Sequence, residues 1–138
     1  MNNHLTVTIV GGGNSAHVLI PFLKRAGYKV NLMTRRPDDW QETVVCELTD
    51  MKNSLIKTFH GTIDLKSKDP SVVIPDADVI ILCMPVHQYR DALDRIGPYI
   101  NRTKEVSVNI LSLFHETAEL SKFFPPLCHN KEVYVGTM

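Results

Sequence analysis

The stretch Thr6-Val7-Thr8-Ile9-Val10-Gly11-Gly12-Gly13-Asn14-Ser15-Ala16 limits what this chain can fold into more than any other. An apolar run ends in three glycines, and a helix-forming segment starts at once. Gly11, Gly13 and Ala16 fill the three slots of the pattern G-x-G-x-x-G/A, in which a strand hands over to a helix around a dinucleotide pyrophosphate. Gly11 lets the chain turn out of the strand in a conformation that a Cβ resists. Gly13 leaves room for a pyrophosphate against the backbone, and Ala16 is small enough for the helix to sit close to the strand. The backbone N–H groups of Gly12, Gly13, Asn14 and Ser15 lie where a helix start has unsatisfied donors and a favourable dipole for an anion. The competing reading is a glycine turn with no ligand.

The flanks support the fingerprint. Leu5, Val7, Ile9 and Val10 make a strand over about Leu5–Val10. Ala16, Leu19, Ile20 and Leu23 follow at i, i+3, i+4 and i+7, one face of a helix over about Asn14–Ala26. Gly27 suits the helix end, and Lys29–Thr34 reads as the second strand. The unit has the ~30-residue size of a βαβ motif. Pro21 falls inside the helix, where a proline costs about 3 kcal/mol, so a kink or a restart is expected there.

The second strand ends Leu32-Met33-Thr34-Arg35-Arg36, with no acid where an NAD-binding unit places one for the ribose 2′-hydroxyl. Two guanidiniums suit a 2′-phosphate, which they can grip bidentately. Thr34, Arg35 and Arg36 are therefore candidate cofactor residues, with NADPH slightly favoured within NAD(P)H. The alternative is a pair of solvated charges partly answered by Asp38 and Asp39.

Val79-Ile80-Ile81-Leu82-Cys83-Met84 is a continuous apolar run, as in a strand buried on both faces of a parallel sheet. Ligands in open α/β sheets bind beyond the carboxyl ends of the strands, so Cys83, Met84, Pro85 and Val86 belong beside the glycine loop. A helix with Val86, Tyr89, Leu93 and Ile96 on one face follows and stops at Gly97-Pro98. His87 opens it and is a candidate cofactor contact; with no carboxylate near it in sequence, it is not assigned a proton-transfer role. Elsewhere, Thr43–Leu48 reads as a short strand or a helix end. Leu55–His60 and Thr62–Leu65 read as two strands joined at Gly61, or one strand bent there. Asp69 caps a turn whose first residue is Pro70. Glu105–Ile110 alternates like a strand, Phe114–Phe124 fits a helix, and Glu132–Val135 fits another strand.

A length of 138 residues fits one domain. Fifteen basic and fifteen acidic side chains give no global charge to attract nucleic acid or an anionic membrane. No apolar run approaches the ~20 residues of a membrane span, and Met1–His4 offers no basic leader, so a cytoplasmic location is expected. Cys46, Cys83 and Cys128 read as reduced thiols, and Cys128, His129 and His115 match no zinc spacing, so no metal is expected. Nothing in the sequence sets the oligomeric state.

Val10-Gly11-Gly12-Gly13-Asn14-Ser15-Ala16-His17 resembles the amino-terminal fingerprint of the opine dehydrogenases, the octopine and nopaline dehydrogenase group. Ala77–Pro85 looks like the fourth strand of that group and of its relatives, ketopantoate reductase and 6-phosphogluconate-type dehydrogenases. The resemblance covers roughly Leu5–Thr103. It implies a Rossmann domain for NAD(P)H and a reductive condensation of an amino acid with a 2-oxo acid. It also implies a second, helical domain carrying the substrate site and catalytic histidine, which is expected to be absent here. No residue of this chain matches the catalytic pair, so none is assigned.

The expected fold is α/β: a three-layer Rossmann fold with a mostly parallel, doubly wound sheet in the order 3-2-1-4-5. Residues 1–138 form one domain with an atypical tail at 104–138. Thr103-Lys104-Glu105-Val106-Ser107-Val108 is nearly repeated as Asn130-Lys131-Glu132-Val133-Tyr134-Val135. The segment between reads as an insertion, or the repeat is a coincidence of a short alternating pattern. The expected function is the cofactor-binding portion of an oxidoreductase, inactive alone. The rival is a stand-alone dinucleotide-binding or regulatory module without catalysis.

Overall fold

The computed structural model describes residues 5–112 and 133–137. Six strands form one sheet: β1 (Thr6–Gly11), β2 (Lys29–Met33), β5 (Leu65–Ser67), β6 (Val79–Cys83), β7 (Ser107–Ser112) and β8 (Val133–Thr137). Their order is β5-β2-β1-β6-β7-β8, and every pairing is parallel. A separate antiparallel ribbon of β3 (Thr43–Thr49) and β4 (Leu55–Thr62) sits between β2 and β5 in the chain. With the ribbon set aside, the order is 3-2-1-4-5-6, a Rossmann sheet one strand longer than the sequence led us to expect. The sixth strand comes from the second copy of the near-repeat. It lies beside β7, which begins within the first copy, with Val108 opposite Val133. The helix expected over Phe114–Phe124, together with His115, Cys128 and His129, lies outside the described residues.

Alternation along β1 splits the core in two. Val7 and Ile9 pack with Ala16 and Ile20 of α1 (Asn14–Arg25). Val10 faces the other layer, with Val73 and Ile74 at α2 (Pro70–Val73) and with Leu93 and Ile96 of α3 (Tyr89–Ile96). The N-cap of α2 forms as read: the Asp69 carboxylate accepts from the Ser71 N–H at 2.9 Å, with Pro70 first in the helix. The segment after β6 does not form one helix. Val86–Gln88 is a 3₁₀ turn, α3 follows, and Gly97–Tyr99 is a second 3₁₀ turn.

Helix α1 runs through Pro21 without restarting and ends where Gly27 takes φ +96°. The Tyr28 N–H donates to Leu23 O and the Gly27 N–H to Lys24 O, a Schellman closure. The ribbon crosses the helix at the proline. A Cβ on Gly61 would lie 2.7 Å from Pro21 Cα, so glycine is needed for that close approach. Strand β4 therefore passes through Gly61 unbroken, neither ending nor starting there, and the ribbon's one register shift lies at Leu48/Thr49. Thr43–Leu48, ambiguous in sequence, is strand because its partner supplies the ladder.

Two aspartates tie the starts of the central strands. Asp78 accepts from the Thr6 N–H and from Lys104 Nζ, each at 2.8 Å. Asp64 accepts from the Val30 N–H and from Lys24 Nζ, each at 2.8 Å. Burial raises both carboxyls, but the lysine and backbone N–H bonds outweigh it, leaving each below the usual 3.8. A carboxylate lowered on folding stabilises the fold above its unfolded pKa and loses that contribution as pH falls through the folded value. Asp78→Ala is expected to cost about 1–3 kcal/mol at neutral pH. Its urea midpoint should also fall less steeply than the wild type's on acidification below about pH 4. Parallel acid profiles for the two proteins would remove Asp78 from this account. Among the described residues, no helix is long and apolar enough to cross a membrane.

Candidate functional site

A cleft of about 550 Å³ opens at the carboxyl ends of β1, β2 and β6. Val10 and Met33 give it an apolar floor, and Gly11, Gly12 and Gly13 form one rim. Each glycine meets a different requirement. Gly11 has φ +125°, and a Cβ there would stand 2.1 Å from Cys83 O, its neighbour in the β1–β6 ladder. A side chain at Gly11 would therefore push the two strand ends apart. At Gly12, a Cβ would come 2.8 Å from Thr34 Oγ1 and 3.6 Å from the Trp40 ring. At Gly13, a Cβ would meet nothing within 4 Å among the described residues. No packing among them explains that third glycine.

Helix α1 starts at this open position. Gly13 is its N-cap in extended conformation, no side chain caps it, and the first turn holds no acid. Its free N–H groups and dipole are left for an external anion. An open position at Gly13 beside an uncapped helix start fits the pyrophosphate of a dinucleotide.

Beyond β2 the cleft becomes basic. Arg35, Arg36, Lys68 and Arg95 line it against two carboxylates, Asp39 and Asp91. Arg36 Nη1 stands 3.9 Å from Asp39 Oδ2, with both side chains largely exposed, so water screens the pair and the guanidinium stays open to a stronger anion. On the opposite wall are Cys83, Met84 and Pro85. Burial pushes the Cys83 thiol up to about 12, so it is a neutral wall and not a nucleophile at physiological pH.

The structure gathers nine of the residues singled out from sequence on this cleft: Gly11, Gly12, Gly13, Thr34, Arg35, Arg36, Cys83, Met84 and Pro85. Asn14 and Ser15 sit in the first turn of α1, and Ala16 is buried beneath the loop. Val86 packs against the core and His87 is exposed on the 3₁₀ turn after β6, so neither lines the cleft; their neighbour Gln88 does. Sequence reasoning missed Trp40, Lys68 and the stripe Gln88, Asp91, Ala92 and Arg95. That stripe was legible, because its spacing of i, i+3, i+4 and i+7 marks a helix face that adjoins the apolar one and shares Ala92 with it. Lys68 was hidden because the short β5 was not separated from the ribbon. Among the described residues, no three His, Cys, Asp or Glu side chains converge to hold a metal ion.

Residues 6–109 match the family described as NADP oxidoreductase coenzyme F420-dependent. The chain is 32% identical over 115 residues to an opine dehydrogenase of Haliotis discus hannai, covering 72% of this chain and 27% of that protein. It is 31% identical over 104 residues to an octopine dehydrogenase of Mizuhopecten yessoensis, covering 70% and 26%. It thus spans about a quarter of the length of these relatives. Among solved structures, yersinopine dehydrogenase with NADP+ bound superposes with a TM-score of 0.77 at 20% identity, over 99% of this chain and 35% of that one. Octopine dehydrogenase in complex with NADH and agmatine superposes with a TM-score of 0.69 at 22% identity, over 79% and 28%.

Proposed function

The chain belongs to the family described as NADP oxidoreductase coenzyme F420-dependent, and from that premise we propose that its cleft holds a nicotinamide dinucleotide for an opine-dehydrogenase-like oxidoreductase. The observation that carries this reading is the open space at Gly13 over an uncapped helix start. Gly12, Gly13, Asn14 and Ser15 receive the pyrophosphate on backbone N–H groups, with Gly11 and Ala16 holding the loop in shape. Thr34, Arg35 and Arg36 take the ribose and its 2′-phosphate. Cys83, Met84 and Pro85 wall the far side. His87 belongs to the reading only if the 3₁₀ turn rotates toward the cleft. When bound, the cofactor supplies or accepts a hydride. In the proteins this chain resembles, that hydride serves the reductive joining of an amino acid to a 2-oxo acid. Calorimetric titration of the 138-residue chain with NADPH and NADH tests the proposal. Heats no larger than dilution for both would end it.

A second reading is a binding module without catalysis of its own. The carboxylates that line the described cleft, Asp39 and Asp91, are exposed. General acid catalysis needs a donor held within about 2.6–3.2 Å of the accepting atom. We therefore expect this chain to bind NAD(P)H without oxidising it when pyruvate and a panel of amino acids are added. Saturable, Gly13-dependent loss of nicotinamide absorbance would show a substrate site within these residues.

A further inference from the structure

The glycine loop is flanked by a pair of rings that the binding chemistry does not require. Trp40, just after the 3₁₀ turn Pro37–Asp39, stacks on His17 of α1 with centroids 4.0 Å apart and planes 21° from parallel. His17 Nδ1 lies 2.9 Å from the Gly13 carbonyl oxygen. That oxygen only accepts, so Nδ1 carries the proton and donates. The Trp40 ring reaches the loop itself: a Cβ on Gly12 would stand 3.6 Å from it. The tryptophan is also tethered from behind, because Lys66 Nζ donates to its carbonyl oxygen.

We infer that Trp40 and His17 act as one positioning clamp, which holds the Gly11–Gly13 loop in its dinucleotide-binding shape before the cofactor arrives. This rests on the reading of the cleft given above. A loop of three glycines has few side chains to fix it, and ordering it during binding would cost affinity. The clamp orders it in advance. The His17 bond occupies the Gly13 carbonyl within the protein, and the stack joins the loop after β2 to the start of α1. The two walls of the cleft thus keep a fixed spacing. Neither ring touches the reacting atoms in this account, so both are positioning residues.

The test uses the whole chain and two readouts. The first is backbone nuclear-spin relaxation without nucleotide. Trp40→Ala and His17→Ala are expected to lower the order parameters of residues 12–17 toward those of a flexible segment, while β1, β6 and the urea midpoint stay near wild type. The second is calorimetric affinity for NADPH. Each single variant is expected to bind about tenfold more weakly, with the double variant also near tenfold, because one unit is lost only once. Trp40→Phe, which keeps a stacking ring, should stay within about threefold of wild type. Losses that multiply to about a hundredfold would make the two residues independent and overturn the clamp. So would unchanged loop order parameters in Trp40→Ala alongside normal NADPH binding. A wild-type chain that binds neither NADPH nor NADH would overturn the reading of the cleft, and the clamp with it.

Discussion

Gly13→Val is expected to abolish NAD(P)H binding and to leave the fold almost untouched. Gly13 has φ −129°, an extended conformation that β-branched residues adopt readily. The new Cβ meets no atom of the described residues within 4 Å, so it clashes with none of them. Stability should stay within about 1 kcal/mol of wild type, as for other substitutions that disturb no packing. A bound pyrophosphate would share that space with the valine, and a steric conflict of this kind should weaken binding by about two orders of magnitude or more. Far-UV circular dichroism and a urea midpoint check the fold, and calorimetry checks binding. Undiminished affinity in the valine variant would show that the ligand, if any, lies elsewhere. Gly11→Ala is the necessary contrast. Its Cβ would lie 2.1 Å from a backbone carbonyl, at φ +125°. The expected loss is about 3 kcal/mol or more of folding stability, from strain and overpacking together. Lost binding in that variant reports on the sheet, whereas lost binding at Gly13 reports on the ligand.

The same difference between the glycines shows what the sequence could reveal. The strand–glycine–helix transition was legible because each part is local: β-branched residues, a turn that excludes Cβ, then apolar positions at helical spacing. The apolar run ending in Cys83 was legible because burial on both faces leaves no polar position to break it. What stayed hidden depends on contacts between distant segments. Gly61 looked like a hinge, and only the 2.7 Å that would separate a Cβ there from Pro21 Cα shows that it is where the ribbon crosses the helix. That crossing also gives Pro21 a partner surface, which no rule about helix interiors contains. Strand β5 is three residues long and exists because Asn31, Leu32 and Met33 offer it a ladder. With β5 unrecognised, Lys68 could not be placed at a strand end. Trp40 has no periodic neighbours, and its position over the glycine loop comes from distant partners: His17, Lys66 and the apolar layer under α1.

The largest change in selectivity should come from Arg35 and Arg36. Both line the basic end of the cleft just past β2, in the place where a ribose 2′-hydroxyl would need a carboxylate partner. The nearest acid on the segment, Asp39, is 3.9 Å from Arg36 and exposed, which makes it a weak competitor for the guanidinium. A 2′-phosphate brings charge and three strong acceptors, and each charge-assisted bond contributes about 1.5–3 kcal/mol. We therefore expect wild-type chain to bind NADPH more tightly than NADH. Replacing both arginines with alanine should weaken NADPH by about a hundredfold or more, at roughly tenfold per 1.4 kcal/mol lost. NADH, which lacks the phosphate, should change by less than about threefold, because exposed charges contribute little to a neutral hydroxyl. Salt gives an independent check. The wild-type preference should shrink as ionic strength rises toward 1 M, where the Debye length falls to about 3 Å. The double variant should show no such dependence. Equal or tighter binding of NADH by the wild type would mean that these guanidiniums are solvated surface charges and that the ribose is held by other groups. Lys68 and Arg95 also line the cleft and are the cations that would hold the phosphate if Arg35 and Arg36 did not. If a salt-dependent preference for NADPH survives the loss of Arg35 and Arg36, the phosphate is held mainly by that second pair.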